Sequence, residues 1–121
     1  MQGKPTLVIG ASPNPERYSY LAVTRLQKHG HSVIALGKKT GSINGIAIHT
    51  EKDPAIKIDT VTLYLSPALQ QEYQDYILSL RPKRIIFNPG AENPAFEKIA
   101  EEQGIEVLEA CTLTMLSIGN Y

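Results

Sequence analysis

A short turn near the N-terminus carries the residues best suited to hold an anion. Gly10, Ala11 and Ser12 follow an unbroken aliphatic run, and Arg17 and Ser19 come just before a segment with helical periodicity. Small side chains leave backbone N–H groups open to a ligand, and the start of a helix favours negative charge. An arginine adds a cation that can pair with a diphosphate. The spacing therefore predicts a phosphate site between a strand and a helix, with Ser19 as the helix N-cap.

A second group of candidate residues follows the next apolar run. Gly37, Lys38 and Lys39 stand where the dinucleotide fingerprint would place an acidic residue for the ribose. The first turn also keeps only one of the three glycines of that fingerprint. Both departures disfavour NAD, and the lysines favour a ligand with an extra phosphate on its adenosine, as in NADP or coenzyme A. A solvated lysine pair on a loop explains the pattern equally well.

The elements that must position these residues alternate between strand and helix. Aliphatic runs predict about five strands, at 6–9, 32–36, 59–65, 84–88 and 106–110, with helical segments between them and a short helix at 111–116. The alternation predicts a three-layer α/β sandwich with a mostly parallel sheet and helices on both faces. Residues 46–48 are a candidate for a brief edge strand, whereas residues 40–42 are predicted to form a flexible turn.

Two further turns at strand ends complete the predicted site. One is Ser66-Pro67, in which the serine is the predicted N-cap of a helix and the proline its first residue. The other is Asn88-Pro89-Gly90, a tight turn after the fourth strand. The carboxyl ends of parallel strands share one edge of a sheet, and ligands bind there where the strand order reverses. We expect all four turns to line one rim.

Composition limits the classes of function. Twelve basic and twelve acidic side chains among 121 residues leave a formal net charge of zero, so no overall field attracts nucleic acid or a membrane surface. A single cysteine excludes an internal disulfide and fits a cytoplasmic protein. No apolar run reaches the roughly 18 residues of a membrane span, and no signal peptide is recognisable. The three histidines lack metal-ligand spacing. We expect one cytoplasmic domain, residues 1–121, without a metal.

The stretches that contain these turns resemble one known family. The series VIGASPNPERYSY, VIALG, DTVTLYLSP and IIFNPGAENP, with the last strand leading into Ala110-Cys111, resembles the small stand-alone CoA-binding domain proteins. These proteins are similar to the nucleotide-binding domain of the succinyl-CoA synthetase α-subunit. The resemblance covers nearly the whole chain. It implies a Rossmann-like domain that binds coenzyme A, with no established reaction.

The resemblance also implies a role for each turn. Residues 10–12 would hold the diphosphate, with Arg17 and Ser19 beside them. Residues 66–67 would border the adenosine, and residues 88–90 the pantetheine arm. The phosphorylated histidine of the synthetase belongs to a further domain, so acyl-CoA synthesis by this chain alone is not expected.

Three functional hypotheses remain open at this point. The first is a non-catalytic CoA-binding carrier, sensor or accessory module, since Ser12 and Ser66 lack the paired histidine motif of a nucleophile. The alternative is the nucleotide-binding domain of an NADP-dependent oxidoreductase, whose substrate pocket would need a dimer partner. The third is an interaction domain with a vestigial nucleotide site. The expected ligand is a small nucleotide, and a homodimer or an unidentified protein partner stays open.

Overall fold

The protein is built on one seven-stranded sheet, seen in a computed structural model that describes residues 3–121. Residues 1–2 of the predicted domain lie outside the described residues. The strands are β1 (Thr6–Ile9), β2 (Val33–Leu36), β3 (Gly41–Ile43), β4 (Ile46–His49), β5 (Thr60–Leu63), β6 (Arg84–Phe87) and β7 (Glu106–Glu109). The helices are α1 (Tyr18–Lys28), α2 (Pro67–Leu80), α3 (Pro94–Glu102) and α4 (Thr112–Ile118).

The strand order places a topological switch point at the centre of the sheet. The order is β3-β4-β2-β1-β5-β6-β7, and every pair is parallel except β3 with β4. The chain steps from β1 to β2 in one direction and then crosses to β5 on the other side of β1. The strand order therefore reverses between β1 and β5, where open α/β sheets bind ligands. The predicted Rossmann-like α/β class is confirmed, with more strands than the five predicted.

The two additional strands form an antiparallel hairpin at one edge of the sheet. β4 includes the strand expected at 46–48, but β4 is not the edge of the sheet, because β3 pairs with its outer side. The prediction of a flexible turn over 40–42 is wrong, because Gly41 and Ser42 belong to β3. Asn44 and Gly45 form the connecting turn, with φ angles of 48° and 84°. β3 is only three residues long and largely exposed, so it lacks the hydrophobic pattern that reveals a strand.

Helices cover both faces of the sheet. α1 and α4 pack on one face, and α2 and α3 pack on the other. The central strands are buried on both faces, which explains their unbroken aliphatic sequences. Under α2 and α3, the rings of Phe87 and Phe96 meet edge to face with their centroids 5.7 Å apart. No helix among residues 3–121 is both long and apolar enough to cross a bilayer.

The start of α1 differs from the prediction. Its N-cap is Arg17 rather than Ser19, and Ser19 is buried within the first turn. Asn14 is the physical cause, since its side-chain oxygen accepts the Glu16 N–H at 3.0 Å and its carbonyl accepts the Arg17 N–H at 3.1 Å. This turn directs the chain into the helix before Ser19 is reached.

Candidate functional site

A crevice of about 530 Å³ opens at the carboxyl edge of the sheet, at the switch point between β1 and β5. The turns after β1, β2, β5 and β6 all contribute to its lining, together with the first turns of α1 and α2. The predicted site residues that line it are Gly10, Ala11, Ser12, Arg17, Ser19, Lys38, Lys39, Ser66, Pro89 and Gly90. Gly37, Pro67 and Asn88 are not part of the lining. The structure thus brings the four predicted turns to one rim.

Two glycines determine how closely the walls of this crevice approach. Gly10 has a φ of 92°, and a Cβ atom there would lie 2.8 Å from the carbonyl oxygen of Tyr64. At Gly37 a Cβ atom would lie 2.2 Å from the carbonyl oxygen of Ala11. The N–H groups of Gly10 and Ala11 both donate to the Leu36 carbonyl, at 3.0 Å each. Gly37 therefore packs behind the crevice wall, and these two N–H groups are used within the protein.

The N–H groups that stay open at this turn belong to neighbouring residues. Within residues 3–121, no protein acceptor lies within hydrogen-bond distance of the Ser12, Tyr18 or Ser19 N–H groups. No side chain caps the start of α1. The Ser12 Oγ accepts the Asn14 N–H at 3.1 Å, which leaves its own O–H free to donate. The uncapped helix end and the adjacent Arg17 create a positive potential suited to an anion.

The other end of the crevice carries the two lysines. The Lys38 ammonium pairs with the Glu72 carboxylate on α2, and both side chains are about half exposed. Their hydrogen bond raises the pKa of Lys38 and lowers the pKa of Glu72. Lys38 Nζ also lies 5.6 Å from the ring centroid of Tyr73, which is buried. Lys38 is therefore a partly solvated cation paired with Glu72, and nothing in the spacing of the chain indicated this partner.

Four large side chains line the crevice without having been predicted there, namely Tyr18, Tyr64, Leu65 and Leu69. Tyr18 and Leu69 lie in the first turns of α1 and α2 and are 71% and 51% exposed. Tyr64 lines the crevice with its ring, and its hydroxyl is buried without a hydrogen-bond partner among the described residues. Burial raises the pKa of Tyr64. Tyr18 and Leu69 each follow a predicted turn closely in sequence, and this position could have indicated that they line the crevice.

Asn88 lies beneath the crevice. Its side chain is buried, and Nδ2 donates to Thr62 Oγ1 at 2.7 Å and to the Leu63 carbonyl at 2.8 Å. Its Oδ1 accepts the Thr112 N–H at 2.8 Å. All of these contacts are internal, and they join the end of β6 to β5 and to the start of α4. Asn88 thus supports the rim through the elements it connects.

Cys111 is the N-cap of α4 and is half-buried outside the crevice lining. Burial raises the pKa of its thiol, but hydrogen bonds from Thr114 and from the Leu113 backbone outweigh burial and leave that pKa below its ordinary value. Across residues 3–121, the His, Cys, Asp and Glu side chains form no group of three that could hold a metal ion.

A separate cavity of about 770 Å³ lies between the sheet and the segment that follows β4. Within the described residues, the crossover from β4 to β5 contains no helix, and Ile56 and Ile58 of this segment pack against the core. Two contacts attach it to α2: Lys52 Nζ donates to the Glu72 carbonyl, and the Tyr76 hydroxyl donates to the Asp53 carbonyl at 2.7 Å. Although larger than the crevice, this cavity contains none of the predicted site residues.

The sheet order, the two helical layers and the crevice define a Rossmann-like α/β domain with an open crevice at its switch point. The sequence matches the family described as "CoA binding domain" over residues 4–117. The chain therefore belongs to the CoA-binding domain family. No curated protein matches the sequence.

Solved structures share the same fold. A crystal structure of an uncharacterized protein is 49% identical, with a TM-score of 0.96 and 100% coverage of both chains. A hypothetical protein from Pyrococcus horikoshii OT3 is 26% identical, with a TM-score of 0.87 over 96% of this chain and 83% of that chain. A Thermus thermophilus protein, 22% identical with a TM-score of 0.80 over 98% and 91% of the two chains, shows the fold alone.

Proposed function

We propose that the protein binds coenzyme A in the switch-point crevice and acts as a non-catalytic carrier, sensor or accessory module. The observation that carries the proposal is the joint presence of open helix N–H groups, three cations and two exposed apolar side chains along one crevice. Coenzyme A combines a diphosphate, a phosphate on the adenosine ribose and a less polar pantetheine arm. Membership of the CoA-binding domain family supports the same ligand.

The diphosphate matches the turn at the start of α1. The N–H groups of Ser12, Tyr18 and Ser19 have no acceptor within the described residues. Arg17 stands beside them as the uncapped N-cap residue. An anion at this position would accept hydrogen bonds from the backbone and a charge-assisted bond from the guanidinium. The ligand would thereby satisfy donors that the protein itself leaves open.

The adenosine matches the end of the crevice that holds Lys38, Lys39 and Ser66. The two lysines follow β2, where ribose groups bind in related open sheets. Ser66 is the N-cap of α2, but its hydroxyl forms no capping hydrogen bond, so it is free to meet a ligand. The pantetheine arm would then extend past Pro89 and Gly90 on the far side of the crevice.

The character of the crevice supports binding rather than catalysis. Its ionisable lining side chains, within residues 3–121, are Arg17, Lys38, Lys39 and the tyrosines Tyr18 and Tyr64. Among the described residues, no carboxylate, imidazole or thiol lines the crevice. General acid–base catalysis at neutral pH most often uses histidine, glutamate or aspartate, and the described lining contains none of these residue types.

Isothermal titration calorimetry of the full chain with CoA, dephospho-CoA and NADPH tests the proposal. We expect CoA to bind with a dissociation constant well below about 100 µM, which corresponds to roughly −5.5 kcal/mol. The absence of heat with either CoA form would overturn the proposal. Binding of NADPH without CoA would instead support the nucleotide domain of an NADP-dependent oxidoreductase. Native mass spectrometry of the purified protein gives an independent check through the mass of any retained ligand.

A further inference from the structure

Glu72 lies between two lysines that reach it from different segments. Lys38 comes from the turn after β2 and lines the crevice, whereas Lys52 follows β4 and lines the separate cavity. The Lys38 ammonium pairs with the Glu72 carboxylate, and Lys52 Nζ donates to the Glu72 carbonyl. Both ammonium groups also approach the ring of Tyr73, at 5.6 and 5.1 Å from its centroid. The cluster of Lys38, Lys52, Glu72 and Tyr73 thus joins a residue of the crevice lining to a residue of the cavity lining.

We infer that Glu72 determines how strongly the crevice selects a ligand with a phosphate on its adenosine ribose. It holds Lys38 in the free protein, and the ligand phosphate competes with the carboxylate for that ammonium. The carboxylate then pairs with Lys52, which already lies beside it. This inference rests on the proposed binding of coenzyme A, since it concerns the adenosine end of the same crevice.

The charges explain why the exchange favours a phosphate. A terminal phosphate carries about −1.5 to −2 charge near pH 7, against −1 for a carboxylate, so it attracts Lys38 more strongly than Glu72 does. Without another cation, the released Glu72 carboxylate would repel the bound phosphate. Lys52 removes this penalty by neutralising the carboxylate. A ligand with an unmodified ribose has no such phosphate and leaves the pair of Lys38 and Glu72 intact.

The exchange also links the crevice to the segment that covers the cavity. In the free protein Lys52 donates its hydrogen bond to the backbone carbonyl of Glu72 and lies over the Tyr73 ring. When the carboxylate turns towards Lys52, the contact between this segment and α2 becomes an ion pair. Ligand binding should therefore make residues 50–56 less accessible to hydrogen exchange.

Calorimetry with CoA and dephospho-CoA on the full-length variants tests the inference. Glu72→Gln should tighten CoA binding about two- to fivefold, the range of an exposed ion pair, and leave dephospho-CoA binding unchanged. Lys52→Met should weaken CoA binding by a similar factor, and this effect should vanish in the Glu72→Gln background. Asp75→Asn is the matched control, because it removes one exposed negative charge from the same helix.

The results distinguish this inference from the proposed function. Two results for an unaltered protein that binds CoA would count against Glu72: Glu72→Gln changes the affinities for CoA and dephospho-CoA equally, or it changes the CoA affinity no more than Asp75→Asn does. Either result overturns the role of Glu72 and leaves the proposed CoA binding intact. If the unaltered protein binds neither form of CoA, the proposed function fails first. An unchanged exchange rate of residues 50–56 on CoA binding, measured by mass spectrometry, would contradict the transfer of the carboxylate to Lys52.

Discussion

The backbone of Gly37 packs against the carbonyl group of Ala11 with no room for a side chain, since a Cβ atom at Gly37 would lie 2.2 Å from that oxygen. We therefore expect Gly37→Ala to push apart the turns after β1 and β2. The cost should be about 1–3 kcal/mol of unfolding free energy, as for other overpacked sites, with a clear loss of CoA affinity. Urea unfolding and calorimetry measure the two effects.

Gly30→Ala is a control for this prediction. Gly30 has a φ of 86°, and nothing lies within 4 Å of its missing Cβ atom. Alanine there should cost about 1–2 kcal/mol of stability through backbone strain alone. CoA affinity should stay unchanged, because Gly30 follows α1 at its other end. Equal affinity in the Gly37 and Gly30 variants would contradict the proposed packing role of Gly37.

Asn88→Ala should act mainly on stability. The substitution leaves the buried Thr112 N–H without its acceptor and removes both donors to β5. An unsatisfied buried group costs about 1–3 kcal/mol, so the midpoint of urea unfolding should fall clearly. A variant with normal stability but greatly weakened CoA binding would show instead that Asn88 contacts the ligand.

Arg17→Gln should weaken the binding of CoA and of dephospho-CoA to the same extent, because both ligands contain the diphosphate. A charge-assisted hydrogen bond contributes about 1.5–3 kcal/mol, so a loss of tenfold or more is expected in calorimetry. Arg25→Gln removes the same charge from the last turn of α1, away from the crevice, and is the matched control. Similar losses of CoA affinity in the Arg17 and Arg25 variants would indicate that the overall electrostatic field of the protein attracts the ligand, rather than a direct contact with Arg17.

His31 should make the fold sensitive to acid. Burial, followed by the nearby charges of His29, Lys4 and Arg84, lowers its pKa from 6.5. Its Nδ1 accepts the Lys4 N–H at 2.9 Å, a bond that protonation would break. The folded state therefore favours the neutral ring. The stability it contributes is full above pH 6.5 and is lost as the pH falls through the lower folded-state pKa.

Urea unfolding between pH 5 and 8 measures this dependence. His31→Asn should flatten it, because the amide oxygen can still accept a hydrogen bond but does not titrate. His49→Gln serves as the control and should retain the acid-induced loss of stability, because His49 lies beside Leu36 at the other end of β2 and is not among the charges that act on His31. If the stability of His31→Asn depends on pH in the same way as that of the unaltered protein, His31 is excluded as the source of the acid-induced loss of stability.

Local sequence was sufficient for the class of fold and for most of the crevice rim. Buried parallel strands need apolar residues on both faces, so β1, β2 and β6 stand out as apolar runs. β5 stands out by its alternation of threonine with Val61 and Leu63. A turn must follow each strand at the same edge of a parallel sheet, and the four turns were therefore predicted together. The short strand β3 escaped prediction, because it is exposed and its hydrogen bonds come from a neighbour.

Individual residues of the site show which features the sequence determined and which only the tertiary structure decided. The residue types and their order determined the strand–turn–helix unit around Gly10 and the cations Arg17, Lys38 and Lys39. Only the tertiary structure decided that Lys38 pairs with Glu72, 34 positions away along the chain. It likewise decided that Asn88 lies under the rim rather than on it. Periodicity and turn chemistry are local and can be read along the chain, whereas a side chain's partner depends on which distant segment folding places beside it.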